Sequence, residues 1–223
     1  MTKNMTTRII QVLIIFCIQS ILLFLGAGTL YWPWAWALLG LNVLLLIVNL
    51  FTIPAEVIEE RGRRKKNVKK WDKVLNTINI VPTLLLYVCC GLDFRFGWTG
   101  SLPFPIHVSG LILLCAGSLL FTWSMVSNSF FSTLVRIQKD RDHKVATSGP
   151  YTYIRHPGYV GYILMSTATP IALGTLWGLV FSGMTTILLI IRTVMEDRTL
   201  QEELEGYKEY TGKVKYRLVP FIW

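Results

Sequence analysis

The sequence predicts an all-α, polytopic integral membrane protein with about six transmembrane helices and a C-terminal helical hairpin. Of its 223 residues, 52% are hydrophobic and only 16% are charged, whereas soluble domains carry about 25% charged residues. Asp, Glu, Lys and Arg are absent from four long blocks, namely residues 9–55, 74–92, 96–135 and 156–191. This pattern excludes a disordered chain, a disulfide-stapled secreted domain and a soluble Rossmann domain beside the apolar blocks.

The first three blocks supply four predicted spans, since a spanning helix needs about 20 apolar residues. The longest block turns at Tyr31–Trp34, where aromatic residues and a proline are typical of an interfacial hairpin. The first span is expected to stay uncleaved, because it exceeds the roughly 7–15 apolar residues of a secretory signal. Pro82 predicts a kink in the third span. The predicted spans are Ile9–Leu30, Trp34–Ile53, Val74–Leu92 and Ile106–Val126.

The last block, residues 156–191, is too long for one transmembrane span and slightly short for two. Pro170, Gly174 and Gly178 cluster at its middle, where a turn between two helices is expected. The block therefore predicts a hairpin of two short or tilted helices, Gly158–Leu173 and Leu176–Ile191, whose mismatch with the bilayer is absorbed by thinning or by neighbouring helices. Six crossings place both termini on one side of the membrane.

The basic residues give an independent prediction of orientation, because cytoplasmic loops are enriched in Lys and Arg. With both termini inside, 21 of the 22 basic residues are cytoplasmic and only Arg95 is outside. The protein is then an integral membrane protein with cytoplasmic termini, in the inner membrane if bacterial, and its basic face favours anionic lipids. The run Arg61–Lys70 is interpreted as a topology determinant and not as a nucleic-acid site.

The cysteines and histidines of this sequence predict no metal centre. The four cysteines lie inside apolar blocks without CxxC spacing and are expected to be packing residues. His143 lies in a charged loop and is expected to be solvated, whereas His107 begins the fourth span on the outer side. The cysteines are Cys17, Cys89, Cys90 and Cys115.

Most polar residues that could do chemistry fall in the loop before the hairpin. Pro157-Gly158 is expected to begin a helix, with Arg155 and His156 immediately before it. A helix N-terminus beside two basic residues predicts a site for a carboxylate or phosphate. The alternative is a basic anchor with an aromatic belt at headgroup level, formed by Tyr151, Tyr153, Tyr159 and Tyr162.

The tail after the hairpin supplies a second polar cluster. Arg192 and Glu196 are four residues apart, so they share a helix face and can pair. The acidic pair Glu196-Asp197 is expected just past a helix end, on the same side of the membrane as His156. Residues 201–210 predict a surface helix.

These elements together resemble the isoprenylcysteine carboxyl methyltransferase family. The resemblance covers residues 128–223, taken as the catalytic region, whereas residues 1–127 match only as four transmembrane helices. The RHPxY element alone also occurs in phospholipid N-methyltransferases and membrane sterol reductases, but Gly158 and Tyr162 differ from the reductase version. The elements are GPYTYIRHPGYVG (Gly149–Gly161), the acidic pair, GYKEY (Gly206–Tyr210) and YRLVP (Tyr216–Pro220).

The resemblance implies S-adenosylmethionine as methyl donor, bound at the cytoplasmic ends of the last helices. Arg155, Arg192 and Arg217 are the candidate catalytic residues. Arg192 and Arg217 would orient the acceptor, and Arg155 or His156 would hold the methionyl carboxylate. The cofactor-binding candidates are Val145, Gly149, Tyr151, His156, Pro157, Tyr159, Glu196 and Asp197.

The implied chemistry suits these residue types. A sulfonium methyl is already activated, so the protein mainly aligns donor and acceptor, and a carboxylate acceptor is ionised at pH 7 without a general base. The expected acceptor is lipophilic or lipidated and carries a carboxylate or a thiol. A phospholipid amine is the enzymatic alternative, although it needs deprotonation. A non-catalytic scaffold or transporter subunit is the other class, but a transporter would place polar residues at mid-membrane.

Overall fold

The computed structural model describes residues 2–63, 65 and 67–223. All regular secondary structure in these residues is helical, which confirms the predicted all-α class. Within the basic run Arg61–Lys70, Arg64 and Lys66 lie outside the described residues. The described α-helices are α1 (Lys3–Ala27), α2 (Pro33–Thr52), α3 (Ala55–Gly62), α4 (Lys70–Phe96), α5 (Phe104–Val126), α6 (Pro157–Leu173), α7 (Gly178–Glu203) and α8 (Tyr207–Lys213).

The helices confirm a multi-pass membrane protein. Among the described residues, α1, α2, α4, α5 and α7 are long and apolar enough to cross a membrane. The helix α6 has 17 residues, fewer than the roughly 20 that span a bilayer, as expected for a short arm of the hairpin. Residues 174–177 join α6 to α7, and Gly174 takes the left-handed conformation there with φ of 72°. The predicted hairpin is therefore confirmed.

The helix α7 is longer than predicted. It continues past Ile191 to Glu203, so the acidic pair lies within a helix and not beyond its end. The change from apolar to polar residues at Arg192 marks where the helix leaves the bilayer, whereas Glu, Gln, Arg, Met and Leu remain good helix formers in water. The predicted surface helix 201–210 is split by Gly206, which has φ of 78°, and α8 begins after it.

Close helix contacts fix the position of α6. A Cβ atom at Gly117 of α5 would lie 2.9 Å from the carbonyl oxygen of Gly161 in α6, and one at Gly161 would lie 2.7 Å from that of Gly117. The two backbones therefore touch, as small residues permit in membrane helix pairs. Gly26 and Gly91 join α1 to α4 in the same way. Because α6 begins with the motif Pro157–Gly161, its packing on α5 positions the candidate site.

A buried carboxylate contacts the turn between α6 and α7, at the end of the hairpin away from the start of α6. Asp93 at the end of α4 is only 1% exposed. It accepts hydrogen bonds from the backbone N–H and the hydroxyl of Thr99, at 2.8 and 2.6 Å, and from the Trp177 N–H at 3.2 Å. These bonds satisfy the charge of Asp93 and fasten the turn between α6 and α7 to α4.

The other end of the bundle, called the basic end below, is where α1, α4 and α6 begin and α2, α5 and α7 finish. The Thr2 hydroxyl near the N-terminus donates to Glu59 of α3 at 2.7 Å. At the same end, the Lys69 ammonium lies 2.5 Å from the Glu203 carboxylate. The N-terminus and the end of α7 therefore lie at the same end of the bundle.

Candidate functional site

A cavity of about 110 Å³ lies at the basic end, enclosed by the loop before α6, the first turn of α6, the end of α7, and α8. Gly149, Pro157, Asp197 and Arg217 of the predicted site lie outside its wall. The predicted site residues that line it are Val145, Tyr151, Arg155, His156, Tyr159, Arg192 and Glu196.

Tyr159 is the centre of the polar wall. Its hydroxyl donates to Oε2 of Glu196, which joins α6 to α7. Its ring is stacked with the His156 imidazole, with centroids 5.7 Å apart, and the guanidinium carbon of Arg192 lies 5.3 Å from the ring centroid. An aromatic face, an imidazole, a carboxylate and a cation are thus brought together from two helices.

Asp197 has a different environment from its neighbour Glu196. It is completely buried, and both of its oxygens accept hydrogen bonds; Nε2 of His156 lies 3.4 Å from one of them. Its donors are Arg155 Nε (2.8 Å), Arg155 Nη2 (3.0 Å), Arg217 Nε (2.9 Å), Gln201 Nε2 (2.9 Å) and the Tyr207 hydroxyl (3.0 Å). A carboxylate so fully engaged holds the surrounding elements together.

The C-terminal tail covers the start of α6. The backbone N–H groups of Arg155 and His156 donate to the carbonyls of Tyr216 and Arg217, at 2.9 and 3.0 Å. Nη1 of Arg155 donates to the carbonyls of Val214 and Lys215. The tail therefore accepts the N–H groups of the two residues just before the helix, and an anion at the first turn of α6 stays a prediction.

Two tyrosines of α8 complete the wall of the cavity. The Tyr210 hydroxyl donates to the carbonyl of Tyr151 at 2.6 Å, and Tyr207 donates to Asp197. Burial raises the pKa of both phenols, so both act as neutral donors. The sequence elements at Gly206–Tyr210 and Tyr216–Pro220 thus pack onto the same site as the motif before α6.

Arg192 is paired differently from the prediction. Its Nε lies 2.8 Å from Oδ1 of Asp72 in α4, and its Nη2 donates to the Thr133 carbonyl at 3.0 Å. It makes no ion pair with Glu196. Asp72 is fully buried and also accepts the Val135 N–H at 2.7 Å. The predicted N-terminal part therefore supplies a carboxylate to the site, which the sequence did not indicate.

A second carboxylate from the N-terminal part, Glu60 of α3, holds the cavity loop. It is 2% exposed and lies 2.9 Å from Nη2 of Arg136. The other Arg136 nitrogen, Nη1, lies 2.8 Å from Asp140. Nε of Arg136 and the hydroxyl of Ser132 are buried without a hydrogen-bond partner among the described residues. Both residues line the cavity, so they are two available polar groups for a ligand.

His143 is half-buried and therefore less solvated than expected. Its ring lies 4.6 Å from that of Phe130, and its Nδ1 accepts the Gln138 N–H at 3.3 Å. Burial, followed by repulsion from Arg136 and Arg141, lowers its pKa from 6.5 to about 4. The imidazole is therefore neutral at pH 7 and forms part of the cavity wall.

Part of this chain is similar to a family of known proteins. Residues 110–202 match the model of the isoprenylcysteine carboxyl methyltransferase family. This stretch of the chain is similar to members of that family. It contains most of α5, the cavity loop, α6 and nearly all of α7. The resemblance seen in the sequence is thus confirmed for the helices that carry His156, Tyr159 and Glu196.

Three individual relatives are all named as methyltransferases. Protein-S-isoprenylcysteine O-methyltransferase of Schizosaccharomyces pombe is 33% identical over 155 residues, 66% of this chain and 57% of the relative. The Homo sapiens protein of that name is 32% identical over 126 residues, 52% of this chain and 42% of the relative. Methanethiol S-methyltransferase of Crocosphaera subtropica is 39% identical over 80 residues, 35% of this chain and 30% of the relative. The chain thus spans about half the length of the isoprenylcysteine relatives.

Proposed function

We propose that the protein is a membrane methyltransferase that moves a methyl group from S-adenosylmethionine to a lipophilic acceptor. The observation that carries the proposal is the cavity in the family-matched region, where His156, Tyr159 and Glu196 converge. Relatives named for isoprenylcysteine O-methylation and methanethiol S-methylation support methyl transfer as the common chemistry.

The residues of the cavity fit the methyl donor. Tyrosine faces attract a sulfonium cation, and Tyr151 and Tyr159 both line the wall. The Glu196 carboxylate suits the donor's amino group or ribose hydroxyls. The free Nε–H of Arg136 and the Ser132 hydroxyl suit the methionyl carboxylate. Val145 and His156 also line the cavity.

The cavity is smaller than a site for a ligand of this size. Its volume is about 110 Å³, whereas sites for drug-sized ligands measure roughly 300–1,000 Å³. We therefore infer that residues 128–146 move outward when the donor binds. This loop has only one short helical turn of its own, Lys139–Arg141, and is held to the helices by Glu60 and Asp72.

The three arginines take different roles in this proposal. Arg155 and Arg217 are bound to Asp197, so they position the start of α6 and the tail. Arg192 lines the cavity and lies over Tyr159, so it is the arginine placed to orient an acceptor carboxylate. When bound, the donor supplies a methyl group that is already activated on sulfur. The chain aligns the two reactants and excludes water.

We propose a carboxylate as the acceptor group, giving a methyl ester. It needs no base for deprotonation at pH 7, and the more extensive matches are to O-methyltransferases. A thiol acceptor is the second candidate, because a methanethiol S-methyltransferase is also among the matched relatives. The acceptor is expected to enter from the bilayer, since the cavity lies at the ends of spanning helices.

The fate of a labelled methyl group tests the proposal. Purified protein would be incubated with methyl-tritiated S-adenosylmethionine and, separately, N-acetyl-S-farnesylcysteine, a long-chain alkyl thiol and phosphatidylethanolamine. We expect base-labile label on the farnesylcysteine, released as volatile methanol. Base-stable label on the thiol would move the assignment to S-methylation, and label on phosphatidylethanolamine would move it to N-methylation. Absence of transfer to all three, together with absence of donor binding, would contradict methyl transfer.

The Lys and Arg residues at the basic end support an orientation of the protein in the membrane. We propose that the basic end faces the cytoplasm, because cytoplasmic loops are enriched in Lys and Arg. The water-soluble donor would then reach the cavity from the cytoplasm. Anionic lipids are expected to surround this end of the bundle.

A further inference from the structure

Arg61, at the end of α3, is a cation without a protein counter-charge. Its guanidinium carbon lies 5.5 Å from the centroid of Phe121 and 5.3 Å from that of Phe131. These two rings meet edge to face, with centroids 5.5 Å apart. Among the described residues, no carboxylate lies within 4.0 Å of Arg61 and none accepts a hydrogen bond from it. Two aromatic faces stabilise a cation, but they leave the five N–H donors of a guanidinium unpaired.

Two further cations lie beside Arg61, and the three are called the cationic cluster. Gly62, the next residue, packs so closely on α1 that a Cβ atom there would lie 3.0 Å from the Cβ of Arg8. Lys65 donates to the hydroxyl of Thr133, in the loop that also holds Arg192. No carboxylate of the described residues pairs with any of the cluster's three residues, Arg8, Arg61 and Lys65.

The nearby carboxylates contact other residues. Asp72 is bound to Arg192, and Glu59 accepts from Thr2. Glu60 is bound to Arg136 through Oε1, whereas its Oε2 is buried and accepts no hydrogen bond from the described residues. Burial and then repulsion from neighbouring cations lower the pKa of Arg61 to about 9. Burial lowers the pKa of Lys65 to about 8, with repulsion from neighbouring arginines in the same direction and the charge of Glu60 in the opposite direction. An unpaired, partly buried cation is costly, so these residues are suited to an anion that the protein does not itself provide.

The position of the cluster limits what this anion can be. Phe121 lies five residues before the end of α5, near the boundary between the bilayer core and its headgroups. Phe131 also lines the cavity and touches Gly158 of α6. The cluster is therefore separated from the cavity by one aromatic ring, at a depth where the acidic head of an amphiphile lies while its chains remain in the bilayer.

We propose that Arg61, with Arg8 and Lys65, forms a binding site for the acidic head group, carboxylate or phosphate, of a membrane amphiphile. Two sources share this chemistry: a lipophilic acceptor carrying a carboxylate, and an anionic phospholipid. The site does not depend on methyl transfer, since it is defined by charge and depth alone. Because Phe131 also lines the cavity, ligand binding at the cationic cluster would affect the cavity through this ring.

Equilibrium binding to the full-length protein without methyl donor tests the site. The probes are N-acetyl-S-farnesylcysteine against its methyl ester, and phosphatidylglycerol against phosphatidylcholine, the lipids being counted by native mass spectrometry. The variants are Arg61→Gln and Lys65→Gln. Arg198→Gln serves as the matched control, because Arg198 is an exposed arginine at the same end, paired with Glu202.

We expect the wild type to prefer one acidic probe over its neutral partner, and Arg61→Gln to reduce that affinity about tenfold or more, as for a lost charge-assisted hydrogen bond. Lys65→Gln should act in the same direction, and Arg198→Gln should have no effect. Weaker binding of N-acetyl-S-farnesylcysteine by the two variants would identify an acceptor site. Weaker binding of phosphatidylglycerol would identify a lipid site. Unchanged binding of both acidic probes in folded Arg61→Gln and Lys65→Gln would overturn the proposal.

Discussion

Glu196 and Asp197 are adjacent in the sequence but do different things in the structure. Glu196 faces the cavity and accepts a hydrogen bond from Tyr159. Asp197 points the other way and holds Arg155, Arg217 and Tyr207. An acidic pair in a motif cannot reveal this division, because adjacent residues of a helix point about 100° apart and which one meets the cavity depends on neighbouring helices.

The two residues should therefore respond differently to removal of their charge. Asp197→Asn leaves the buried Arg155 without its carboxylate, so it should lower the free energy of unfolding by about 3–5 kcal/mol. Glu196→Gln should change that free energy by less than about 0.5 kcal/mol, because Glu196 is only half-buried. Unfolding in detergent, followed by circular dichroism, measures both. Equal destabilisation by the two substitutions would contradict the division of roles.

The pKa of His143 gives a pH dependence. In the folded protein it is about 4, below the 6.5 of an unfolded chain, so the unfolded state binds more protons between these values. His143 should thus leave stability unaffected above pH 6.5 and lower it as the pH falls from 6.5 towards 4. His143→Gln should remove that part of the acid sensitivity. An imidazole that titrates near 6.5 by NMR would contradict burial of this ring.

At the level of secondary structure, the sequence predicted what local patterns determine. Pro170 and Gly174 placed the hairpin correctly, and the apolar blocks placed the spans. The end of α7 was not predictable, because loss of apolar residues marks the membrane boundary and not the helix end. The contributions of α3 and α4 to the site were also hidden, since Glu60 and Asp72 meet partners more than 70 residues away only after folding.

The connection between α4 and α7 can be tested through Asp72. Asp72→Asn should lower the free energy of unfolding by about 3–5 kcal/mol, because Arg192 is left buried without a counter-charge. Combining it with Arg192→Gln should restore part of that loss, giving a measurable coupling energy in a double-mutant cycle. The control pair is Arg198→Gln with Glu202→Gln, an exposed ion pair. Additive effects for Asp72 and Arg192 would show that their contact contributes nothing.

At the level of the whole molecule, helices from both predicted parts, residues 1–127 and 128–223, contact the cavity loop. The family-matched residues 110–202 supply most of the cavity wall, but α8 completes it, α3 and α4 fasten its loop and the tail covers the start of α6. The residues Arg8, Arg61 and Lys65 of the cationic cluster lie outside the family-matched region.

The orientation of the molecule predicts which ends are accessible. In a background without the four native cysteines, Gly212→Cys at the basic end should resist an impermeant thiol reagent in intact cells, and Ser101→Cys at the opposite end should react. Both positions are exposed, so burial cannot explain a difference. Both should react once the membrane is permeabilised. Reaction of Gly212→Cys alone in intact cells would reverse the orientation.

The central claim is that the cavity at the basic end binds S-adenosylmethionine, and calorimetry with S-adenosylhomocysteine tests it most directly. We expect the purified wild type and the control Arg198→Gln to bind with equal affinity. We expect Glu196→Gln to bind about tenfold more weakly, because a charge-assisted hydrogen bond contributes about 1.5–3 kcal/mol. Binding by the wild type that Glu196→Gln and His156→Ala both leave unchanged, or no binding by the wild type, would contradict the account.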